Sequence, residues 1–297
     1  MEKLVCIVGT NASGKSALGI ELAGMYDADI VSADSRQVYK GLDLGSGKVT
    51  KEEMRGIRHY LIDVACPNEF FSLAHYQRLA YRAIDDIHKE GRYALLVGGT
   101  GLYVNAVVDG YDLSDKAPDP QIRHEVEKLS NEELIEMIRQ KDPSMLERVD
   151  IKNKRRLERA AEKVLSNDTR QHCNVKRYDT LLIGVTYPRQ ELYERIRVRL
   201  DKRLDEGMID EVIRLRKEGA TDEFLYKLGL EYRYILMYLQ GKFAGYDEFY
   251  DKLFMEIRHL AKEQMTWFRK RADITWIDMK DEPVKRCVEL INGFYGI

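Results

Sequence analysis

The chain of 297 residues is 44% hydrophobic and has a formal net charge of −2, as is ordinary for a globular protein. This length allows one large domain, or a core with a smaller insertion. No apolar run reaches the ~18 residues of a membrane span, and residues 1–3 lead directly into a predicted strand. We therefore expect a cytoplasmic protein without a signal peptide or a membrane partner.

A glycine-rich loop follows the apolar residues 4–8 and precedes a helix predicted to end near Met25. Its pattern, G-x-x-x-x-G-K-S between a strand and a helix, is typical of phosphate binding. Backbone N–H groups and the helix N-terminus would face a phosphate, Lys15 would reach the terminal phosphates, and the Ser16 hydroxyl would ligate Mg²⁺. The loop predicts a diphosphate or triphosphate site without naming a reaction. Its residues are Gly9, Thr10, Asn11, Ala12, Ser13, Gly14, Lys15 and Ser16.

Strands and helices alternate along the rest of the chain, apart from one segment. Strands are predicted at residues 28–32, 59–64, 93–97, 181–185 and 274–277, and helices at 72–89, 189–217 and 246–270. Such alternation predicts an α/β fold, a phosphate-loop type of parallel sheet flanked by helices.

Residues 114–176 differ, because charged helical patterns replace the strand signals there. We expect a helical insertion at 114–176, with the catalytic core formed by 1–113 and 177–297. Four cations in this insertion fall at steps of four, three and four, which places them on one helix face: Lys152, Arg156, Arg159 and Lys163. That face is either an ordinary solvated surface or a contact for nucleic acid.

Two polar segments follow predicted strands, at residues 32–39 and 98–103. Because parallel strands present their carboxyl ends at one sheet edge, we expect both segments to converge on the phosphate loop. They would supply a carboxylate, Asp34, and a hydroxyl, Thr100. A carboxylate beside a phosphate site is either a Mg²⁺ ligand or a general base.

Four sequence blocks together resemble one enzyme family. They are S-A-D-S-x-Q-x-Y at 32–39, G-L-D-L-G at 41–45, G-G-T-G-L-Y at 98–103 and Q-M-T-W-F-R at 264–269. The chain resembles the tRNA dimethylallyltransferases, also called tRNA isopentenyltransferases, over nearly its whole length. The resemblance implies that the loop binds dimethylallyl diphosphate, and that the acceptor is the exocyclic amine of the adenosine 3′ of the tRNA anticodon.

The resemblance also implies roles for individual residues. Asp34 matches the base that takes the proton of the amine, and Thr100 matches a residue beside the reacting centre; with Lys15 they form the expected catalytic set. Arg195 and Arg199 match arginines that reach the diphosphate, although surface salt bridging explains them equally well from sequence alone. With the basic stripe included, the expected tRNA-binding residues are Asp34, Ser35, Arg36, Gln37, Thr100, Arg123, Lys152, Arg156 and Arg159.

Several blocks depart from the family pattern, at residues 150–153, 228–232 and 262–264. These departures lie in regions that serve RNA binding or its support, and the reaction core is intact. Three alternatives stay open: prenyl transfer to a free adenine nucleotide, a small-molecule kinase that uses ATP, and, because of the altered RNA-side blocks, a protein that binds RNA without catalysis. We expect Mg²⁺ as cofactor, tRNA and dimethylallyl diphosphate as partners, and a monomer.

Overall fold

The structure is a computed structural model that describes residues 1–113, 119–147, 149–166 and 173–297. Residues 114–118, 148 and 167–172 of the predicted insertion lie outside the described residues. The chain divides into two compact units. One unit combines Met1–Tyr111 with Val175–Ile297, and the other is Asp112–Asn174.

The larger unit contains a six-stranded sheet in the order β3-β2-β4-β1-β5-β6, with every neighbouring pair parallel. Strands β1, β2, β4 and β5 are mostly apolar and buried, as expected where helices cover both faces. The α/β class with a parallel sheet is thereby confirmed. The strands are β1 (Lys3–Gly9), β2 (Ala28–Ser32), β3 (His59–Tyr60), β4 (Tyr93–Gly98), β5 (Asp179–Thr186) and β6 (Ile274–Asp278).

Helices occupy most of the remaining described residues, and none of them is long and apolar enough to cross a membrane. They are α1 (Lys15–Met25), α2 (Lys51–Met54), α3 (Leu73–Lys89), α4 (Gly101–Val108), α5 (Pro120–Glu127), α6 (Asn131–Lys141), α7 (Pro143–Leu146), α8 (Lys154–Leu165), α9 (Arg189–Asp205), α10 (Met208–Lys217), α11 (Asp222–Leu228), α12 (Leu230–Leu239), α13 (Tyr246–Arg269) and α14 (Pro283–Tyr295).

The sheet has a separate core on each face, because successive side chains of a strand point to opposite sides. Leu4 and Val8 of β1 belong to the core that includes α3, α9, α12 and α13. Val5 and Ile7 belong to the core that includes α1 and α14. Helices therefore cover both faces of the sheet. The carboxyl ends of the strands are then the place where a parallel sheet binds its ligand.

Two predicted elements are wrong in extent. The strand predicted at 59–64 ends at Tyr60, because Leu61 and Asp63 have φ angles of 64° and 57°. The helix predicted at 189–217 is broken into α9 and α10 by Gly207, whose φ is 95°. Left-handed residues cannot continue a strand or a right-handed helix, and the apolar pattern alone does not reveal them.

The smaller unit is a packing of α5 to α8 around a core of its own. Buried apolar side chains from α5, α6 and α8 meet there, among them Val126, Ile138 and Leu157. A capping box at Ser130 and Glu133 fixes the start of α6. Of the residues described in this unit, none lies in a strand.

Candidate active site

Three loops meet at the carboxyl ends of three adjacent strands. The phosphate loop follows β1, the segment from Ala33 follows β2, and the segment from Gly99 follows β4, which lies between the other two. The Thr100 N–H donates to the Ala33 carbonyl at 3.1 Å. A side chain at Gly98 would overlap the Ala33 backbone, so glycine permits this close approach. The predicted convergence on the phosphate loop is therefore the arrangement in the structure.

The phosphate loop has the backbone shape that its pattern predicts. Ala12 and Gly14 have φ angles of 59° and 82°, and α1 begins directly afterwards at Lys15. The Arg195 Nε donates to the Ala12 carbonyl at 3.0 Å and so joins α9 to the loop. Ser13 Oγ is buried and has no hydrogen-bond partner among the described residues. A buried hydroxyl without a partner is uncommon in folded proteins.

Lys15 is buried, and its Nζ donates to the Thr10 carbonyl at 3.1 Å. Burial lowers the pKa of Lys15 to about 8; nearby Asp34 opposes this shift, and Arg199, Arg203 and Arg36 add to it. Asp34 is therefore near enough to stabilise the charged form of this ammonium group. An incoming polyphosphate would favour the charged form of the lysine again.

Asp34 is held by the backbone that follows it, because Oδ1 accepts from the Arg36 N–H at 3.0 Å. Thr100 Oγ1 accepts from the Ser35 N–H at 3.0 Å and donates to Ser35 Oγ at 3.4 Å. These bonds fix the two segments relative to one another. The predicted catalytic residues Asp34, Thr100 and Lys15 are brought together at one end of the sheet.

Arg36 and Gln37 are engaged within the protein. The Arg36 guanidinium pairs with buried Glu231 at 2.5 Å. Burial opposes the charge on Arg36, but Glu231 and Asp34 outweigh it and raise the arginine pKa. Gln37 Nε2 donates to the Gly47 carbonyl at 3.2 Å. Of the two, Arg36 also lines a small pocket together with Asn11 and Arg199.

Arg199 and Arg203 form the cationic wall of the site with Arg36. Arg199 donates to the Gly47 carbonyl at 3.2 Å, and Arg203 lies 3.8 Å from Glu231. Burial lowers the pKa of both Arg199 and Arg203, and for Arg199 the neighbouring Arg203 lowers it further. Surface salt bridging, the alternative for Arg195 and Arg199, is not seen among the described residues. Both donate to backbone carbonyls of the site loops.

Sequence reasoning missed Arg203 and Glu231 as members of the site. Arg203 lies one helical turn after Arg199. The four-residue spacing of Arg195, Arg199 and Arg203 therefore places all three on one helix face and could have indicated Arg203. Lys202, which the sequence places beside that row, is exposed and lies 3.6 Å from Glu206. No local pattern points to Glu231, which is 195 residues from its partner Arg36.

Gln264 of α13 is a further residue to which the sequence motifs give no role in the site. Its Oε1 accepts from the Asn11 N–H at 2.8 Å, and its Nε2 donates to the Gly99 carbonyl at 3.0 Å. One side-chain amide thus ties the phosphate loop to the loop after β4. The sequence alone shows the block at 264–269 as part of the family resemblance and gives Gln264 no role.

The residues at the loop can hold Mg²⁺ only together with phosphate oxygens. Ser16 lines an open groove of about 820 Å³, whose wall also includes Lys15, Arg195 and Arg203. No cluster of three or more histidine, cysteine or acidic side chains suited to a metal occurs within the described part of the chain. A serine hydroxyl completed by water and substrate phosphates is a donor set that Mg²⁺ accepts.

The predicted tRNA-binding cations of the smaller unit are only partly on one helix face. Lys152 lies in a turn before α8, which begins at Lys154, so its predicted place on the helix is wrong. Arg159 pairs with the buried Glu162 at 2.7 Å, and Arg123 lies 3.2 Å from the same carboxylate. Arg156 is exposed and 3.9 Å from Asp150. Asn153 caps the N-terminus of α8, because its side chain accepts from the Arg156 N–H at 3.2 Å, and the helix therefore begins after Lys152.

Known proteins resemble this chain along its full length. The family model of the IPP transferases matches residues 37–271. The tRNA dimethylallyltransferase of Anoxybacillus flavithermus is 37% identical, over 99% of this chain and 97% of that protein. That of an Exiguobacterium species is 40% identical, over 98% and 96%.

A solved structure agrees with these sequence relatives. The tRNA isopentenylpyrophosphate transferase of Bacillus halodurans has 38% identity and a TM-score of 0.76, covering 100% of this chain and 96% of that one. The resemblance inferred from the four sequence blocks is therefore confirmed. Given a family model that fits most of the chain, and relatives of this identity from end to end, the chain belongs to the IPP transferase family.

Proposed function

We propose that this protein transfers the dimethylallyl group of dimethylallyl diphosphate to the exocyclic amine of the adenosine 3′ of the anticodon in tRNA, releasing diphosphate. The names of its full-length relatives support the reaction. The observation that carries it is the position of Asp34, which follows β2 at the same end of the sheet as the phosphate loop and whose Oδ1 accepts from the Arg36 N–H. We expect the protein to act as a monomer, which light scattering of the purified protein tests.

Asp34 would serve as the general base. The adenine amine is a weak nucleophile, because its lone pair is delocalised into the ring. As the N–C bond to the allyl carbon forms and the C–O bond to diphosphate breaks, the amine loses a proton to the Asp34 carboxylate. A base within hydrogen-bond reach of that proton accelerates such a step. A stacked adenosine cannot enter this site, so the base must be extruded first.

The leaving diphosphate requires positive charge where its own negative charge develops. Lys15, the loop N–H groups and the guanidinium groups of Arg195 and Arg199 lie on that side of the site. Preorganised donors in a buried site stabilise developing charge more strongly than water does. Mg²⁺, held by Ser16 and the phosphates, would supply further charge neutralisation when bound.

Arg123, Arg156 and Arg159 of the smaller unit would contact tRNA phosphates, with Lys152 beside them. Ser35, Arg36, Gln37 and Thr100 would surround the extruded adenosine. A helical unit with exposed arginines favours a large RNA over a free adenine nucleotide. The kinase alternative gives no reason for the S-A-D-S-x-Q block at residues 32–37.

One experiment separates the proposal from its alternatives. The protein is incubated with labelled dimethylallyl diphosphate and Mg²⁺, together with either bulk tRNA or AMP. We expect label in tRNA and none in AMP. Label in AMP identifies an adenine-nucleotide prenyltransferase, and ATP turnover with a small-molecule acceptor identifies a kinase. Binding of tRNA with no label in either acceptor identifies a protein that binds RNA without catalysis.

A further inference from the structure

Arg203 is the site cation to which no role has been given. We propose that Arg203 is a further binding residue for the diphosphate of the prenyl donor. Glu231, which pairs mainly with Arg36, neutralises only part of the charge of Arg203. This inference rests on the proposed function, because the anion that it names is the leaving group of that reaction.

The first support is burial. The side chain of Arg203 is 13% exposed, and that of its acidic neighbour Glu231 is 4% exposed. An arginine is rarely buried without a partner that compensates its charge. Burial lowers the pKa of Arg203, and the nearby Arg36 does so as well, while Glu231 opposes both. The free protein therefore holds this charge at a cost that an anion would relieve.

The second support is that one carboxylate serves two guanidinium groups unequally. Glu231 lies 2.5 Å from Arg36 but 3.8 Å from Arg203. The short contact is a charge-assisted hydrogen bond, whereas the long one is at the limit of an ion pair. Arg199 has no ion pair among the described residues. Glu231 thus satisfies Arg36 and leaves the other two cations available.

The third support is position. A Cβ atom at Gly47 would overlap the guanidinium groups of both Arg199 and Arg203, so the two lie side by side over that glycine. Both also line the open groove that contains Lys15 and Ser16. A pair of arginines with planar donors suits a diphosphate, whose oxygens accept several hydrogen bonds at once.

The test is the affinity for inorganic diphosphate, measured by calorimetry with purified full-length protein. We expect Arg203→Gln to weaken binding at least tenfold, comparably to Arg199→Gln. Arg197→Gln is the matched control: this arginine is on the same helix, is exposed, and contacts Glu194 at 4.0 Å. It should bind diphosphate as the wild type does.

Glu231→Gln should change the affinity for diphosphate in the opposite direction. The change removes a negative charge that lies 2.5 Å from Arg36 and 3.8 Å from Arg203, so diphosphate should bind more tightly than to the wild type. The double variant Arg203→Gln with Glu231→Gln leaves no buried carboxylate unpaired and guards against misfolding. We expect its affinity to remain at least tenfold below that of Glu231→Gln alone. Recovery to that affinity would mean that Arg203 only neutralises Glu231, which overturns the inference.

Measuring tRNA binding shows whether Arg203 contacts the diphosphate of the prenyl donor or a phosphate of the RNA. With Arg203→Gln we expect unchanged tRNA affinity in filter binding. A loss of tRNA affinity with diphosphate binding intact would assign Arg203 to an RNA phosphate and overturn the inference, while prenyl transfer by the wild type would stand. If the wild type itself binds no diphosphate, the inference and the proposed donor site fail together.

Discussion

At the scale of single residues, the site combines a carboxylate and an ammonium group that are both fixed by backbone atoms. The Arg36 N–H donates to Asp34, and Lys15 donates to the Thr10 carbonyl. Neither group depends on a flexible partner for its position. Substitutions that keep the shape of these side chains therefore change the chemistry more than the geometry.

Asp34→Asn should abolish transfer while leaving tRNA binding nearly intact. Asparagine keeps an oxygen that accepts from the Arg36 N–H, so the loop retains its shape, but it cannot take a proton. Losing a positioned base lowers the rate by ~10²–10⁴-fold. Single-turnover transfer and filter binding measure the two quantities. Asp86→Asn, in an exposed pair with Lys89, is the control. Near-normal turnover of Asp34→Asn would remove Asp34 from the base role.

Lys15 should make diphosphate binding dependent on pH. Burial lowers its pKa to about 8, so the free protein loses this charge as the pH rises through that value. A bound anion favours the charged lysine, and binding at pH 8.5 should therefore take up protons. Calorimetry in two buffers of different ionisation enthalpy measures that uptake.

Lys15→Ala is the reference for this titration. The ionisation of diphosphate itself is common to both proteins, so their difference reports the lysine. We expect the variant to bind more weakly and to lack the decline in affinity above pH 8. An identical pH dependence in wild type and variant would contradict the role of Lys15.

At the scale of elements, the basic face of α8 is partly neutralised by its own unit. Arg159 is paired with Glu162, whereas Arg156 is at the distance limit from Asp150. An arginine that is already paired releases fewer counterions when it meets a phosphate. The two residues should thus contribute unequally to tRNA binding.

Arg156→Gln should flatten the salt dependence of tRNA binding more than Arg159→Gln. Each full phosphate contact changes the log–log slope by roughly 0.7–0.9. Filter binding across a salt series gives that slope, and Arg139→Gln, in an exposed pair with Glu136 on α6, is the control. Unchanged slopes in both variants would return this face to an ordinary solvated surface.

Gly207 determines where α9 ends and α10 begins. At a φ of 95°, an alanine there is strained by about 1–2 kcal/mol. Gly207→Ala should therefore lower the free energy of unfolding in urea. Gly24→Ala is the matched comparison, because it lies inside α1 with open space around its Cβ position and alanine favours a helix. Equal effects of the two changes would contradict this explanation of the break.

At the scale of the whole molecule, the site is assembled from segments that are distant in sequence. Gln264 joins the phosphate loop to the loop after β4, across 253 and 165 residues. This amide replaces hydrogen bonds that the two loops would otherwise make with water. Loss of this amide would allow the phosphate loop and the loop after β4 to move apart.

Gln264→Ala should lower kcat/KM for dimethylallyl diphosphate without changing tRNA affinity. Gln264→Glu keeps the acceptor for Asn11 but loses the donor for Gly99 and adds a negative charge beside the phosphate loop, so we expect an effect at least as large. Steady-state kinetics with varied donor and filter binding with tRNA measure both. A decrease confined to tRNA affinity would show that Gln264 acts at the RNA instead.

The parallel sheet, the phosphate loop and the two polar segments at strand ends were predictable from the amino-acid sequence. These features are local: each needs only a run of apolar residues, a glycine that permits a turn, and a polar side chain directly after a strand. Asp34, Thr100 and Lys15 were found in this way, because the ends of parallel strands meet whatever the intervening chain contains.

The strand order, which places β4 between β1 and β2, and the partners of the buried charges were not predictable and are known only from the folded chain. Arg36 meets Glu231, and Asn11 meets Gln264, across separations that leave no periodic trace in the sequence. Left-handed residues such as Leu61 and Gly207 likewise end elements whose apolar pattern continues. Long-range packing fixes these features. The partner of a buried charge, and the residue at which a strand or helix ends, depend on residues that are distant in sequence but close in the folded chain.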